Sequence, residues 1–230
     1  MKSGVFVITG ATRGIGAATA RMAEQAGYRV VLAARDVDAL RDREDDRVRA
    51  RACDVRSWEQ VSDLFEWVLG EWGRVDVVLA NAGTSVDTSF TTDDGDPPDT
   101  WTDMVVTNVC GPAFTARAAM PALIASRGHL LLTGSASGRG VRPGNLYSAT
   151  KWAVTGLAQG IRAECVGTGV RVTVVQPGLT DTGCVPASRA DDPKLAPEDV
   201  GRAVMYAVSQ PPGVDVNEIL VRPVGQAAHR

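Results

Sequence analysis

Tyr147 and Lys151, in the run Tyr147-Ser148-Ala149-Thr150-Lys151, stand four residues apart. In a helix that spacing sets both side chains on one face. Ser135 lies upstream, just beyond the apolar run His129–Thr133. This trio has a definable chemistry. Adding a hydride to a carbonyl builds negative charge on the oxygen, which a proton donor within reach neutralises. A free tyrosine, with a pKa of about 10, is poorly matched to neutral pH. A nearby ammonium favours the phenolate, and lowering the pKa by roughly two to three units corresponds to roughly 3–4 kcal/mol. A serine hydroxyl can hydrogen-bond the substrate oxygen and hold it beside the phenol. A Tyr/Lys pair alone is a common surface pair, and it is the position of Ser135 that sets this one apart.

A second constellation opens the chain: Thr9-Gly10-Ala11-Thr12-Arg13-Gly14-Ile15-Gly16. Glycine lets the backbone turn sharply and approach a pyrophosphate closely, and a helix N-terminus adds unpaired N–H groups and a favourable dipole. A glycine-rich match means little by itself. Here it follows an apolar run and precedes a helical pattern, the order such a loop requires.

The elements that must position these residues alternate along the chain. Apolar runs fall at Val5–Thr9, Arg29–Ala34, Val48–Cys53, Val75–Ala80, His129–Thr133, Val170–Gln176 and Ile219–Arg222. They are continuous, as expected of strands buried on both faces of a parallel sheet. Helical patterns lie between them at Ile15–Ala26, Trp58–Trp72, Trp101–Ser126, Tyr147–Val166 and Glu198–Ser209. This order predicts an α/β fold, a Rossmann-type doubly wound, seven-stranded, mainly parallel sheet with helices on both faces. Ligands of such sheets bind at the carboxyl ends of the strands, so Ser135 and the glycine loop should open onto one crevice. The acidic stretch Asp42–Asp46 reads as a solvated loop or a helix end, and Thr91–Asp99 as a surface loop leading into the helix at Trp101.

The chain of 230 residues suits one domain, 1–230, carrying both cofactor and substrate sites. Net charge is −3 without a basic cluster, which argues against nucleic acid as a partner. The four cysteines, Cys53, Cys110, Cys165 and Cys184, are widely spaced, and the two histidines are His129 and His229. Neither a metal site nor a disulfide framework is expected, and the reducing cytoplasm is the expected location. The first apolar run is too short for a signal peptide or a membrane span, and no later run is long enough either.

Taken together, these residues resemble the short-chain dehydrogenases/reductases, and the likeness spans essentially the whole chain. The loop 9–16 is similar to that family's TGxxxGxG cofactor loop, and residues 147–151 to its YxxxK active site. Asn81-Ala82-Gly83 resembles its NAG motif at the cofactor's adenosine side, and Asp54-Val55 the pair that contacts adenine. Asn108, in the long central helix, matches an asparagine that anchors a water and the lysine for proton relay. Pro177-Gly178 and Thr182 resemble the segment that contacts the nicotinamide carboxamide. The resemblance implies that Tyr147 is the general acid/base, that Lys151 lowers its pKa and holds the nicotinamide ribose, that Ser135 positions the carbonyl and that Asn108 completes the relay. Departures are Ala80 where a second asparagine often stands, a Ser135-to-Tyr147 spacing one residue short of the commonest, and Gly183 after Thr182. The spacing implies a tighter loop at 136–146, with Ser137 the weaker substitute for Ser135.

For the cofactor, NAD-type sheets carry an acid after the second strand, whereas NADP-type ones carry arginine for the 2′-phosphate. The strand here ends Ala34-Arg35-Asp36, with Ala34 at the usual acidic position. Arg35 and Arg13 favour NADP(H). Asp36 leaves NAD(H) as the lesser alternative, unless it serves as the N-cap of a helix starting at Val37. A small carbonyl or alcohol is the expected substrate. The family resemblance implies a homotetramer or dimer, and the small residues Ala113, Ala116, Ala118, Ala149 and Ala153 are compatible with close helix packing. The competing reading is a non-catalytic dinucleotide-binding sensor or scaffold, which would have lost the tyrosine or the lysine.

Overall fold

A computed structural model describes residues 4–140, 144–183, 185 and 189–226. Cys184, His229 and part of the 136–146 loop therefore lie outside the described residues. Seven parallel strands form one sheet: β1 (Val5–Thr9), β2 (Arg29–Ala34), β3 (Val48–Ala52), β4 (Val77–Ala80), β5 (His129–Thr133), β6 (Arg171–Pro177) and β7 (Glu218–Val221). Their spatial order is β3-β2-β1-β4-β5-β6-β7, and every pairing is parallel. The winding reverses between β1 and β4, which opens a crevice at their carboxyl ends.

The continuous apolar runs have a geometric cause. Alternate residues of a strand face opposite sides of a sheet, and here both sides are covered. Val5, Val7, Val31, Val78, Leu130 and Leu132 join one core. Phe6, Ile8, Leu32, Leu79 and Leu131 join the other. The first core is closed by α3 (Trp58–Trp72), α5 (Gly111–Ser126) and α6 (Leu146–Glu164), the second by α1 (Gly14–Gln25) and α7 (Pro197–Val208). Side chains cap two of these helices: Ser57 accepts from Gln60 N–H (3.2 Å) and Asn145 from Ser148 N–H (2.8 Å).

Two expectations change. The helix expected over Trp101–Ser126 is three pieces. α4 (Pro98–Val105) begins earlier, with Pro98 in its first turn, and a π-helical turn, Val106–Cys110, separates it from α5. The other change is Asp42–Asp46, which is not mere solvated charge. Asp45 accepts the N–H groups of Arg47 (2.7 Å) and Val48 (2.8 Å), and Glu44 accepts from Ala50 N–H (3.0 Å). These carboxylates satisfy donors on and beside β3, the strand at the sheet's edge, where open N–H groups invite misassembly. A short helix, α2 (Asp38–Arg41), precedes them.

Candidate active site

The site begins at the glycine loop. Gly10 (φ 68°) and Gly14 (φ 56°) occupy the left-handed region that favours glycine. A Cβ at Gly16 would collide with Gly10 O, and one at Gly10 would stand 2.8 Å from Ala82 Cα. Thr9 and Asn81 tie the loop to the end of β4. Thr9 Oγ1 accepts from Asn81 N–H (3.0 Å) and Ala82 N–H (3.2 Å), while Asn81 Nδ2 donates to Thr9 O and Gly10 O, both at 3.1 Å. Asn81 Oδ1 accepts from the Thr133 hydroxyl (3.2 Å), which joins the loop to the end of β5. At the start of α1, no side chain caps the helix and no acid stands in its first turn. Its leading N–H groups and positive dipole end are thus left for an external anion.

On the adenosine side, Cys53 N–H donates to Ala34 O (2.8 Å), and Asp54 follows. Arg56 grips Asp54 through Nε (3.1 and 3.0 Å) and Nη2 (2.7 Å), and reaches Asp103 of α4 at 2.8 Å. Those Arg56 bonds hold the Asp54 carboxyl below its ordinary range, with a small further contribution from Arg35. Val55 is buried under Gly111, whose Cβ would stand 2.9 Å from Val55 Cγ2. Arg13, Thr12 and Arg35 are exposed, and Ile15 is half-buried. Among the described residues neither guanidinium has a hydrogen-bond or salt-bridge partner. Asp36, by contrast, is engaged, accepting from Asp38 N–H at 3.1 Å. Val37 rather than Asp36 stands at the helix boundary, so Asp36 closes the turn from one position earlier.

On the other side of the crevice, Ser135 leaves β5 and opens a 3₁₀ turn, Ala136–Arg139. It is 9% exposed, and its Oγ accepts from Ser137 N–H (3.1 Å), which leaves its own proton as a donor. The turn's far end is held by Arg139, whose Nε donates to Gln176 Oε1 (2.9 Å) and whose guanidinium pairs with Glu218 of β7. Tyr147 enters in the first turn of α6. Lys151 follows one turn later, 4% exposed, its Nζ 5.6 Å from the centre of the Tyr147 ring and donating to Thr133 O at 3.0 Å. Burial pushes the Lys151 ammonium down to about 8.

Asn108 lies on the π turn and is 1% exposed. Its Nδ2 donates to Thr84 O (2.8 Å) and Thr150 Oγ1 (3.1 Å), and its Oδ1 accepts from Thr84 N–H (2.9 Å). These side-chain bonds go to threonines rather than to Lys151. Lysine and asparagine nevertheless converge at Gly83, whose Cβ would stand 3.3 Å from Asn108 Oδ1 and 3.6 Å from Lys151 Nζ. Thr150 is a residue the spacing argument passed over. Its hydroxyl, 3% exposed, accepts from Asn108 and donates to Tyr147 O (2.7 Å). Only its place between Tyr147 and Lys151 could have singled it out. Pro177 ends β6, Gly178 follows, and Thr182 comes back over the glycine loop, its Cβ and Cγ2 3.0 Å from where a Gly14 Cβ would be. The sequence-selected residues thus follow the carboxyl ends of β1 to β6 or, as Asn108, Tyr147 and Lys151, stand on the helical segments beside them.

The family model described as short chain dehydrogenase matches residues 4–193. An uncharacterized oxidoreductase of Staphylococcus aureus (strain N315) is 39% identical over 227 residues, covering 96% of this chain and 97% of that protein. The solved alcohol dehydrogenase of the archaeon Thermococcus sibiricus, complexed with 5-hydroxy-NADP, is 32% identical with a TM-score of 0.89, over 98% of this chain and 99% of that one. A closed form of serine dehydrogenase complexed with NADP+ is 28% identical with a TM-score of 0.88, over 97% and 96%.

Proposed function

The chain belongs to the short-chain dehydrogenases, and from that membership we propose an NADP(H)-dependent oxidoreductase that interconverts a carbonyl and a primary or secondary alcohol. The observation that carries the chemistry is the buried Lys151 amine, 5.6 Å from the Tyr147 ring at the strand ends. An ammonium there stabilises phenolate over phenol and so brings the tyrosine towards neutral pH. In the reducing direction Tyr147 gives its proton to the substrate oxygen, and in oxidation it takes the proton back. The Ser135 hydroxyl donates to the same oxygen and orients it. Thr150 and Asn108 fix the backbone of the turn that carries Tyr147. With the dinucleotide bound, its nicotinamide would supply the hydride donor or acceptor.

The residues fit a dinucleotide. The uncapped N-terminus of α1, over Gly14, Ile15 and Gly16, is suited to the pyrophosphate. Gly10, Asn81, Ala82 and Gly83 form the floor, Asp54 and Val55 the adenine edge, and Pro177, Gly178 and Thr182 the nicotinamide end. The preference for NADP(H) is supported by Arg13 and Arg35, exposed and with no side-chain hydrogen bond or salt bridge at either guanidinium among the described residues, and by the use of Asp36 within its own turn. The alcohol dehydrogenase and serine dehydrogenase neighbours, with their NADP-type ligands, point the same way.

On this reading one domain holds both sites, the location is cytoplasmic, and the chain assembles as a homotetramer or dimer. Exposed Trp152, Ala149 and Ala153 on α6 suit such an interface, whereas Ala116 is 3% exposed and belongs to the core. Fluorescence titration with NADPH and with NADH tests the cofactor assignment in wild type and Arg35→Ala. Wild type should prefer NADPH, and the variant should lose NADPH affinity by about tenfold with NADH little changed. Equal losses for both cofactors would refute the 2′-phosphate role. Cofactor binding without turnover on any aldehyde, keto acid or ketone would favour the non-catalytic sensor.

A further inference from the structure

The chain's last described residues return over the loop assigned above to the nicotinamide end. After β7 a turn closes with Gln226 N–H donating to Pro223 O (3.1 Å), which brings the Gln226 side chain against Gly178. A Cβ on Gly178 would collide with Gln226 Oε1 and stand 3.0 Å from Pro223 Cδ and 3.1 Å from Arg222 Cα. Gly178 has no left-handed backbone angle. Its lack of a side chain is needed because the tail passes so close. Through that gap Gln226 Oε1 accepts the N–H of Leu179 at 3.0 Å.

What Leu179 holds makes this bond matter. Its carbonyl accepts from Leu195 N–H (2.8 Å), Leu195 O accepts from Asp181 N–H (2.9 Å), and Thr180 pairs with Leu195 as an isolated bridge. Thr182 then rests against Gly14 of the glycine loop. One side chain from the tail thereby anchors the start of a short segment whose far end meets the cofactor loop. Gly178 N–H is already satisfied by Val221 O (2.6 Å), so the backbone supplies the first anchor and Gln226 the second.

We propose that Gln226 is a positioning residue for the nicotinamide end of the site, its carboxamide oxygen fixing the Leu179 amide and with it Thr180–Thr182. The inference rests on the cofactor reading above, and two ligands separate the two. Adenosine 2′,5′-bisphosphate occupies only the adenosine end, whereas NADPH requires both ends. Gln226→Met keeps the side chain's length and removes the acceptor, while Gln226→Glu keeps an acceptor. In titrations of the full chain, Gln226→Met should weaken NADPH by about fivefold and leave the bisphosphate unchanged, and Gln226→Glu should retain most of the NADPH affinity. The unchanged bisphosphate affinity also shows that the variant is folded. NADPH affinity of Gln226→Met within about twofold of wild type would overturn the proposal, as would equal weakening of both ligands or failure of Gln226→Glu to rescue. A wild-type protein that bound neither ligand would overturn the cofactor reading itself, and the proposal with it.

Discussion

Replacing Lys151 by methionine should make the protein more stable while disabling it. The ammonium is 4% exposed, and burial lowers its pKa from 10.5 to about 8. At about 1.36 kcal/mol per pH unit, keeping that charge in the folded state at pH 7 costs roughly 3 kcal/mol relative to the unfolded chain. Methionine has a similar reach and no charge. Its substitution leaves Thr133 O without the Lys151 donor (3.0 Å), a loss of about 1–1.5 kcal/mol. The net gain is about 2 kcal/mol, or roughly 4–8 °C in Tm for a chain of this size. The pH dependence has a definite sign. Between about pH 8 and 10.5 the unfolded lysine binds a proton that the folded one has released, so wild-type stability rises with pH in that window. The variant's advantage is therefore full below pH 8, and at pH 10 it should be about 2 kcal/mol smaller, close to nothing. Urea unfolding at pH 7 and pH 10 reads both values, and turnover should fall by at least about a hundredfold. A variant less stable than wild type at pH 7, or equally favoured at both pH values, would refute the burial argument.

The other predictions concern one catalytic and one structural group. Tyr147→Phe should abolish turnover while leaving the NADPH dissociation constant within about twofold, because the ring stays and the proton donor goes; near-normal rates would remove the tyrosine from the mechanism. His129 is fully buried, and burial, with a smaller contribution from Arg171, drives its pKa down to about 3. Below about pH 6.5 the unfolded chain takes up a proton that folded His129 refuses, so wild-type stability falls as the pH drops from there towards 3. Between pH 7 and 5 this loss is about 2 kcal/mol, and in His129→Leu it should be absent from the same urea series. A parallel decline in both proteins would show that His129 is not the titrating group.

The sheet was legible because each strand carries its reason in its own residues. Val5–Thr9, Arg29–Ala34 and His129–Thr133 begin and end where the apolar runs do, since both faces of these central strands are covered. At the margins the runs mislead by a residue or two. β4 starts at Val77 rather than Val75, although Asp76 still bonds both neighbouring strands, its N–H donating to Val5 O (2.9 Å) and its carbonyl accepting from His129 N–H (2.8 Å). The π turn left no trace, because Val106-Thr107-Asn108-Val109-Cys110 keeps an unbroken helical look while only its backbone bonding changes. Asp45 and Glu44 looked like surface charge, since composition cannot tell a solvated carboxylate from one that caps a strand edge. Gln226 was invisible for a topological reason. Its partner Leu179 becomes a neighbour only once β7 lies beside β6.

The legible motifs are catalytic in appearance, yet what joins them is a set of threonines of which only Thr9 belongs to a motif. Thr9 receives two amides from the end of β4, Thr133 gives its hydroxyl to Asn81 and its carbonyl to Lys151, and Thr150 stands between Asn108 and the Tyr147 carbonyl. The Thr9 and Thr150 hydroxyls each donate once and accept besides, while Thr133 donates through its hydroxyl and accepts through its carbonyl, so each residue links segments that meet at strand ends. Thr9 and Thr150 are also almost wholly buried, at 1% and 3% exposure, where a missing partner is costly. The glycine loop, the β4 end, the β5 end and the start of α6 are thereby bonded into one polar layer above the apolar sheet. This explains how a lysine can be kept charged in so dry a place. Its position is set by Thr133, which is itself held through Asn81 to the glycine loop, so the amine cannot withdraw to solvent without breaking that layer.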